Sequence, residues 1–117
     1  MATANVDTPN PIVGKVLAIF IKYNDTPPAT TDVVIKTKGL SPAPPTTTIL
    51  TRTNTGTDGL FYPRAQVHDS AGTGVNYAAT FPIYEPVPVH DKLNISIAQA
   101  NDNDSVDVWL LVDQGDY

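Results

Sequence analysis

The chain of 117 residues contains no cysteine, a single glutamate and only two arginines. Without Cys there is no disulfide, no thiolate nucleophile and no Cys-based zinc site. Five Lys and two Arg stand against eleven Asp and one Glu, a formal net charge of −5. Phosphate backbones attract basic surfaces, so this balance speaks against nucleic acid and anionic membrane surfaces as partners. No apolar run approaches the roughly 18 residues of a spanning helix. The longest, Val16 to Ile21, is interrupted by Lys22. The opening MATANVD lacks the basic and apolar regions of a secretion signal, which suggests a product made in the cytoplasm. On that ground the sequons at Asn24, Asn94 and Asn103 are read as chance. No stretch carries a 3.6-residue apolar period, and no segment repeats.

What the chain does have is Thr, eleven Pro, and short runs of Val, Ile, Leu and Thr between clusters of Gly, Pro, Asn and Asp. β-branched residues fit the pleat and the others supply turns, so the expectation is a compact all-β domain. Residues 1–13, polar and holding Pro9 and Pro11, read as an extended N-terminal arm, which a sheet edge or a neighbouring subunit would have to hold. Residues 14–117 read as one β-sandwich domain of seven or eight strands. The run 14–24 is apolar on both faces, with Leu17, Ile19, Ile21 and Tyr23 on one and Val16, Ala18 and Phe20 on the other. It is expected either to be covered on both sides or to expose a patch for a partner. Residues 31–38 alternate cleanly and are expected to pair antiparallel with it. In 46–52, Ile49 and Leu50 are expected on opposite faces. Residues 39–45, 53–59 and 70–74 read as breaker segments. Pro63 within 60–69 predicts an edge or a bulge, and Pro86-Val-Pro88 reads as excluded from a central strand. Residues 92–100 place Leu93, Ile95 and Ile97 inward. Residues 106–112 place Val106, Val108, Leu110 and Val112 on one face, which leaves Trp109 out of phase. An antiparallel sandwich of jelly-roll type is the first expectation and an immunoglobulin-like one the second.

Chemistry is sparse. His68 and His90 each precede an Asp, but no H-x-H, H-E-x-x-H or Cys partner accompanies them, so loop-end histidines are favoured over a metal site. Asp102, Asp104 and Asp107 have the oxygen chemistry of calcium ligands. The Gly and bidentate Glu of the helical calcium loop are missing, and Asn and Asp suit a tight turn for their own reasons. No G-x-S-x-G elbow or Gly-rich phosphate loop occurs. The expectation is therefore no enzyme, no catalytic residues, no cofactor and no metal. The aromatic ring of Trp109 suits the core, a cover over the sandwich flank or a self-interface better than a sugar platform.

The segments TDGLFYPRAQVHD (57–69), LNISIAQA (93–100) and VDVWLLV (106–112) give the chain a likeness in style to small proteins of tailed bacteriophage heads. It resembles the jelly-roll decoration, or cement, proteins of the capsid exterior. The resemblance implies a virion structural protein that bridges major capsid subunits, forms a homo-dimer or homo-trimer and stabilises the head. It implies no residue-level motif. Candidate contacts are the arm, with Val6 and Ile12, the segment containing Phe61, Tyr62 and Arg64, and Trp109, where Arg64 would pair with a capsid carboxylate. The competing reading is a carbohydrate-binding or adhesin-like sandwich module, which would need a row of coplanar exposed aromatics.

Overall fold

The computed structural model describes residues 2–24, 26–39 and 46–114. The breaker expected at 39–45 lies, beyond Gly39, outside the described residues. Among the described residues there are only strands: β1 (Ala2–Asp7), β2 (Ile12–Asn24), β3 (Asp32–Thr37), β4 (Thr48–Arg52), β5 (Gly59–Phe61), β6 (Arg64–Gln66), β7 (Asn76–Ala78), β8 (Phe81–Pro82), β9 (Tyr84–Asp91), β10 (Leu93–Ala100) and β11 (Ser105–Asp113). They form an antiparallel sandwich. One sheet runs β1-β10-β3-β4. The other runs β11-β2-β9-β6, with β5 also on β2. The hairpin β7-β8 stands apart from both ladders.

The core is the facing surface of the two sheets. Val16, Ile19, Ile21 and Tyr23 of β2, with Val87 and Val89 of β9, meet Val33 and Ile35 of β3, Ile49 of β4 and Leu93 of β10. Each such side chain contributes about 1.5–3 kcal/mol by leaving water. No disulfide or metal is needed to account for this clustering. The alternation expected over 93–100 holds as far as Ala98, with Leu93 buried and Ile95 and Ile97 packed against the same core; at Gln99, φ +56°, it breaks, leaving Gln99 exposed and Ala100 buried. Val106, Val108 and Leu110 join it from β11.

Four local expectations meet a different arrangement, each with a physical cause. The runs β2 and β3 do not pair; they lie in different sheets, stacked face to face through Ile19, Ile21, Val33 and Ile35. The Pro27-Pro28 turn, closed by the Thr31 amide and hydroxyl on the Pro28 carbonyl (3.1 and 2.8 Å), carries the chain across. Within β2 the alternation slips at Leu17, where Ala18 pairs with Leu111 but Val16 pairs with Val112. This β-bulge turns Val16 inward beside Ile19, Ile21 and Tyr23. A second bulge, at Ile49, lets both Ile49 and Leu50 reach the core. Pro86 and Pro88 both sit in β9, a strand with neighbours on either side. The partners are staggered: β6 takes residues 84–86 and β2 takes 87–91. Each proline thus meets a ladder on one flank only, which is the condition a residue without N–H requires.

The arm is extended, as its composition implies, and the sheet edge holds it. Residues 2–7 pair with β10, and Ile12 and Val13 already belong to β2. Thr8 locks the junction: its amide donates to the Leu93 carbonyl (2.8 Å) and its hydroxyl accepts from the Leu93 amide (3.0 Å). Pro63 interrupts 60–69 as anticipated, separating β5 on β2 from β6 on β9.

Candidate functional site

The two outer faces of the sandwich differ in kind. On the sheet β1-β10-β3-β4 the outer face is polar, a shallow depression lined by Asn5, Asp7, Lys36, Lys38, Thr46, Asn94 and Ser96. Asn94 donates to Asp7 (2.8 Å), and the Lys38 ammonium lies 3.1 Å from the same carboxylate. These bonds, the Asn94 one first, hold the Asp7 carboxyl below its ordinary value.

The outer face of the other sheet is apolar. Trp109 of β11 pairs across the ladder with Phe20 of β2, and Phe20 pairs with Leu60 of β5, so three large side chains form one row over three strands. The Phe20 and Trp109 rings are 5.5 Å apart and tilted by 41°. Leu111 and Ala18 form the adjacent row, and Tyr62 completes the same concave surface. Trp109 is 54% exposed, Leu111 60%, Leu60 51% and Tyr62 60%. Charged rows bound the patch along β2 and β11: Lys22 opposite Asp107 at one end, Lys15 opposite Asp113 at the other. A contiguous apolar surface with a polar rim is the physical signature of a contact surface.

Arg64 braces this face. Its guanidinium donates to the carbonyl of bulged Leu17 (3.0 Å) and to that of Pro63 (2.8 Å), and lies 5.9 Å from the Tyr62 ring centre. It thereby satisfies a carbonyl that the bulge removes from the ladder. Of the six residues singled out from sequence, Tyr62, Arg64 and Trp109 gather here. Val6 lies instead on the flank between the sheets, 61% exposed, in a cleft it shares with Ala4, Ile95, Ile97, Val106 and Val108. Ile12 and Phe61 pack against the core, and the Arg52 guanidinium lies over the Phe61 ring at 4.1 Å. Phe20, Leu60 and Leu111 were not singled out, although Leu111 shares the odd-numbered phase of Trp109.

The polar candidates resolve into local structure. The Asp104 carboxylate accepts the Asn101 amide (2.8 Å), while the Asp104 amide donates to the Asn101 carbonyl (3.0 Å), closing the turn before β11. Asp69 accepts the amides of Ala71 and Thr73 in the same way. His68 and His90 are both exposed, and no group of three metal-ligating side chains occurs among the described residues. A second exposed aromatic pair, Tyr77 and Phe81, stacks on the β7-β8 hairpin at 5.5 Å.

Fold and surface together define an antiparallel β-sandwich with one polar and one apolar outer face. Comparison with protein-family models, curated proteins and solved structures finds no match to the chain.

Proposed function

We propose that this chain is a virion structural protein that binds the exterior of a phage capsid and stabilises the head by bridging major capsid subunits. The observation that carries the reading is the row Trp109–Phe20–Leu60, with Leu111 and Tyr62, left open on one outer face while the opposite face is polar. A sandwich is held mainly by its inner faces, so an apolar outer row left half exposed is suited to a partner. The likeness of 57–69, 93–100 and 106–112 to decoration proteins supplies the kind of partner. The mechanism is mass action. A rigid domain that binds only the assembled lattice stabilises it by about 2.7 kcal/mol per site at a hundredfold excess over Kd. A homo-oligomer would add the effective concentration of its linked sites.

The test adds purified protein to undecorated heads and follows their disruption by heat or low salt. Bound protein and raised resistance are expected; heads that neither bind it nor gain resistance would reject the proposal. A sugar-binding role is the second reading. The 41° tilt between Phe20 and Trp109 gives a poor platform for a flat pyranose face, which favours a protein partner. A glycan-array signal abolished by Trp109→Ala would reverse that preference.

A further inference from the structure

We infer that the chain forms a two-fold dimer by antiparallel pairing of β11 with the β11 of a second copy, Trp109 lying against its own counterpart. β11 is bonded on one side only, to β2, and ends its sheet. Among the described residues no strand is bonded to the other side of its stretch Ser105 to Val112. At nine residues it is the longest terminal strand of either sheet. β6 has three residues, β4 five and β1 six. Protected edges are short, bulged, or carry Lys or Pro. β11 is neither short nor bulged and has no Lys or Pro: the bulge opposite it falls in β2, its charges are confined to Asp107 and Asp113, and the stretch Val108 to Val112 between them carries none.

The sequence of the strand is compatible with itself. With Trp109 on the two-fold axis, Ser105 faces Asp113, Val106 faces Val112, Asp107 faces Leu111 and Val108 faces Leu110. All nine residues are matched and no Asp opposes an Asp. Moving the axis to Leu110 sets Asp107 against Asp113, and moving it to Asp107 sets that residue against itself; like charges directly opposite are unfavourable. An odd-numbered shift would turn one copy's apolar face outward. The second copy is favoured over an unrelated strand by the flank itself. The edge strand of the other sheet, β1, lies beside β11 here, and the cleft between them is lined by Val6, Ile95, Ile97, Val106 and Val108. A two-fold partner brings a matching pair of edges and a matching cleft to the same flank. The pairing also joins two Trp109–Phe20–Leu60 rows into one continuous outer face.

Sedimentation equilibrium and charge variants test the pairing, independently of any capsid. The wild-type chain is expected to be a concentration-dependent dimer. Leu111→Asp, at an exposed position, puts two Asp pairs across the axis and should weaken dimerisation at least tenfold, while Asp107→Lys combined with Leu111→Asp should restore it. Because the chain has no Cys, Trp109→Cys and Leu111→Cys provide a second measurement that does not rely on the charge variants folding. Opposed residues of an antiparallel pair sit at disulfide distance, so Trp109→Cys should oxidise to a covalent dimer and Leu111→Cys should not. A wild-type monomer at all concentrations, a trimer, a dimer indifferent to Leu111→Asp, or equal cross-linking at both positions would overturn the inference. A β11 dimer without affinity for heads would sustain it while removing the proposed function.

Discussion

Replacing Trp109 by Ala separates folding from docking, because the structure divides its ring between the two. The indole is 54% exposed and its covered part rests on Phe20 at 5.5 Å. In the free domain the substitution removes one aromatic cross-strand pair, a loss of about 1–2 kcal/mol. The melting temperature should fall by a few degrees and the fold should survive. In the docked state the remaining open surface, roughly 100 Å² of an aromatic ring, is also covered, which at ~25 cal/mol per Å² is about 2.5 kcal/mol. That corresponds to a loss in affinity of about 70-fold. The assay is co-sedimentation of the chain with undecorated heads, alongside thermal melts of the free protein. Tyr77→Ala, at a 71% exposed residue of the β7-β8 hairpin, is the control. Equal loss of head binding for both variants, or no loss for Trp109→Ala, would refute the assignment of the outer face of β11-β2-β5 as the docking surface.

Three further outcomes follow from the fold. Gly14 adopts φ +134°, and a Cβ there would run into the Asp113 carbonyl oxygen, so Gly14→Ala should cost about 1–3 kcal/mol or more, read as a lower denaturation midpoint. Unchanged stability would contradict that backbone geometry. Ile19, fully buried between the sheets, should cost about 2–5 kcal/mol on truncation to Ala, enough to populate the unfolded state in mild urea. Asp7 has a folded pKa below its ordinary 3.8, from the Asn94 hydrogen bond first and Lys38 second. Its contribution is therefore complete at pH well above 3.8 and disappears as pH falls through the lower folded value. Asp7→Asn should flatten the acid limb of the melting curve where pH falls from above 3.8 towards the lower folded value; an identical limb would show that Asp7 is not linked to folding.

How much of this was legible in the chain depended on whether a face could be read without a partner strand. The runs 93–98 and 106–112 alternate without interruption, so their inward residues and the misfit of Trp109 follow from period two alone. In β2 the same rule fails, because the bulge at Leu17 is set by its ladder with β11 and leaves no mark in a run apolar on both faces. Pro88 misled for a related reason: a proline forbids a ladder on one flank, and the sequence does not say that β2 and β6 divide β9 between them. The candidate site was half legible. The phase of Trp109 marked it as outward, and the expectation for 14–24 included a patch for a partner. That Phe20 and Leu60 stand beside it depends on cross-strand register, which no single segment encodes.

The bulge at Leu17 connects the core to the apolar outer face. Without it, strict alternation would carry Val16 outward with Ala18 and Phe20, and the core would lose a fully buried side chain at the end of β2 that pairs with β9. With it, Val16, Ile19, Ile21 and Tyr23 face the other sheet, and Phe20 packs against Trp109. The extra carbonyl it produces is capped by Arg64, which in the same position sits beside Tyr62 at the rim of the apolar surface. Removing the guanidinium therefore acts on both. Arg64→Ala should lower stability modestly by leaving the Leu17 carbonyl to water, and should loosen Tyr62 at the docking face. Lys keeps the charge but lacks the rigid planar guanidinium whose Nη1 donates to the Leu17 and Pro63 carbonyls beside the Tyr62 ring, and should restore little of either. A variant in which head binding falls while the melting temperature holds would show that the brace serves the surface more than the bulge. One in which both fall together would tie the outer face to the irregularity in β2.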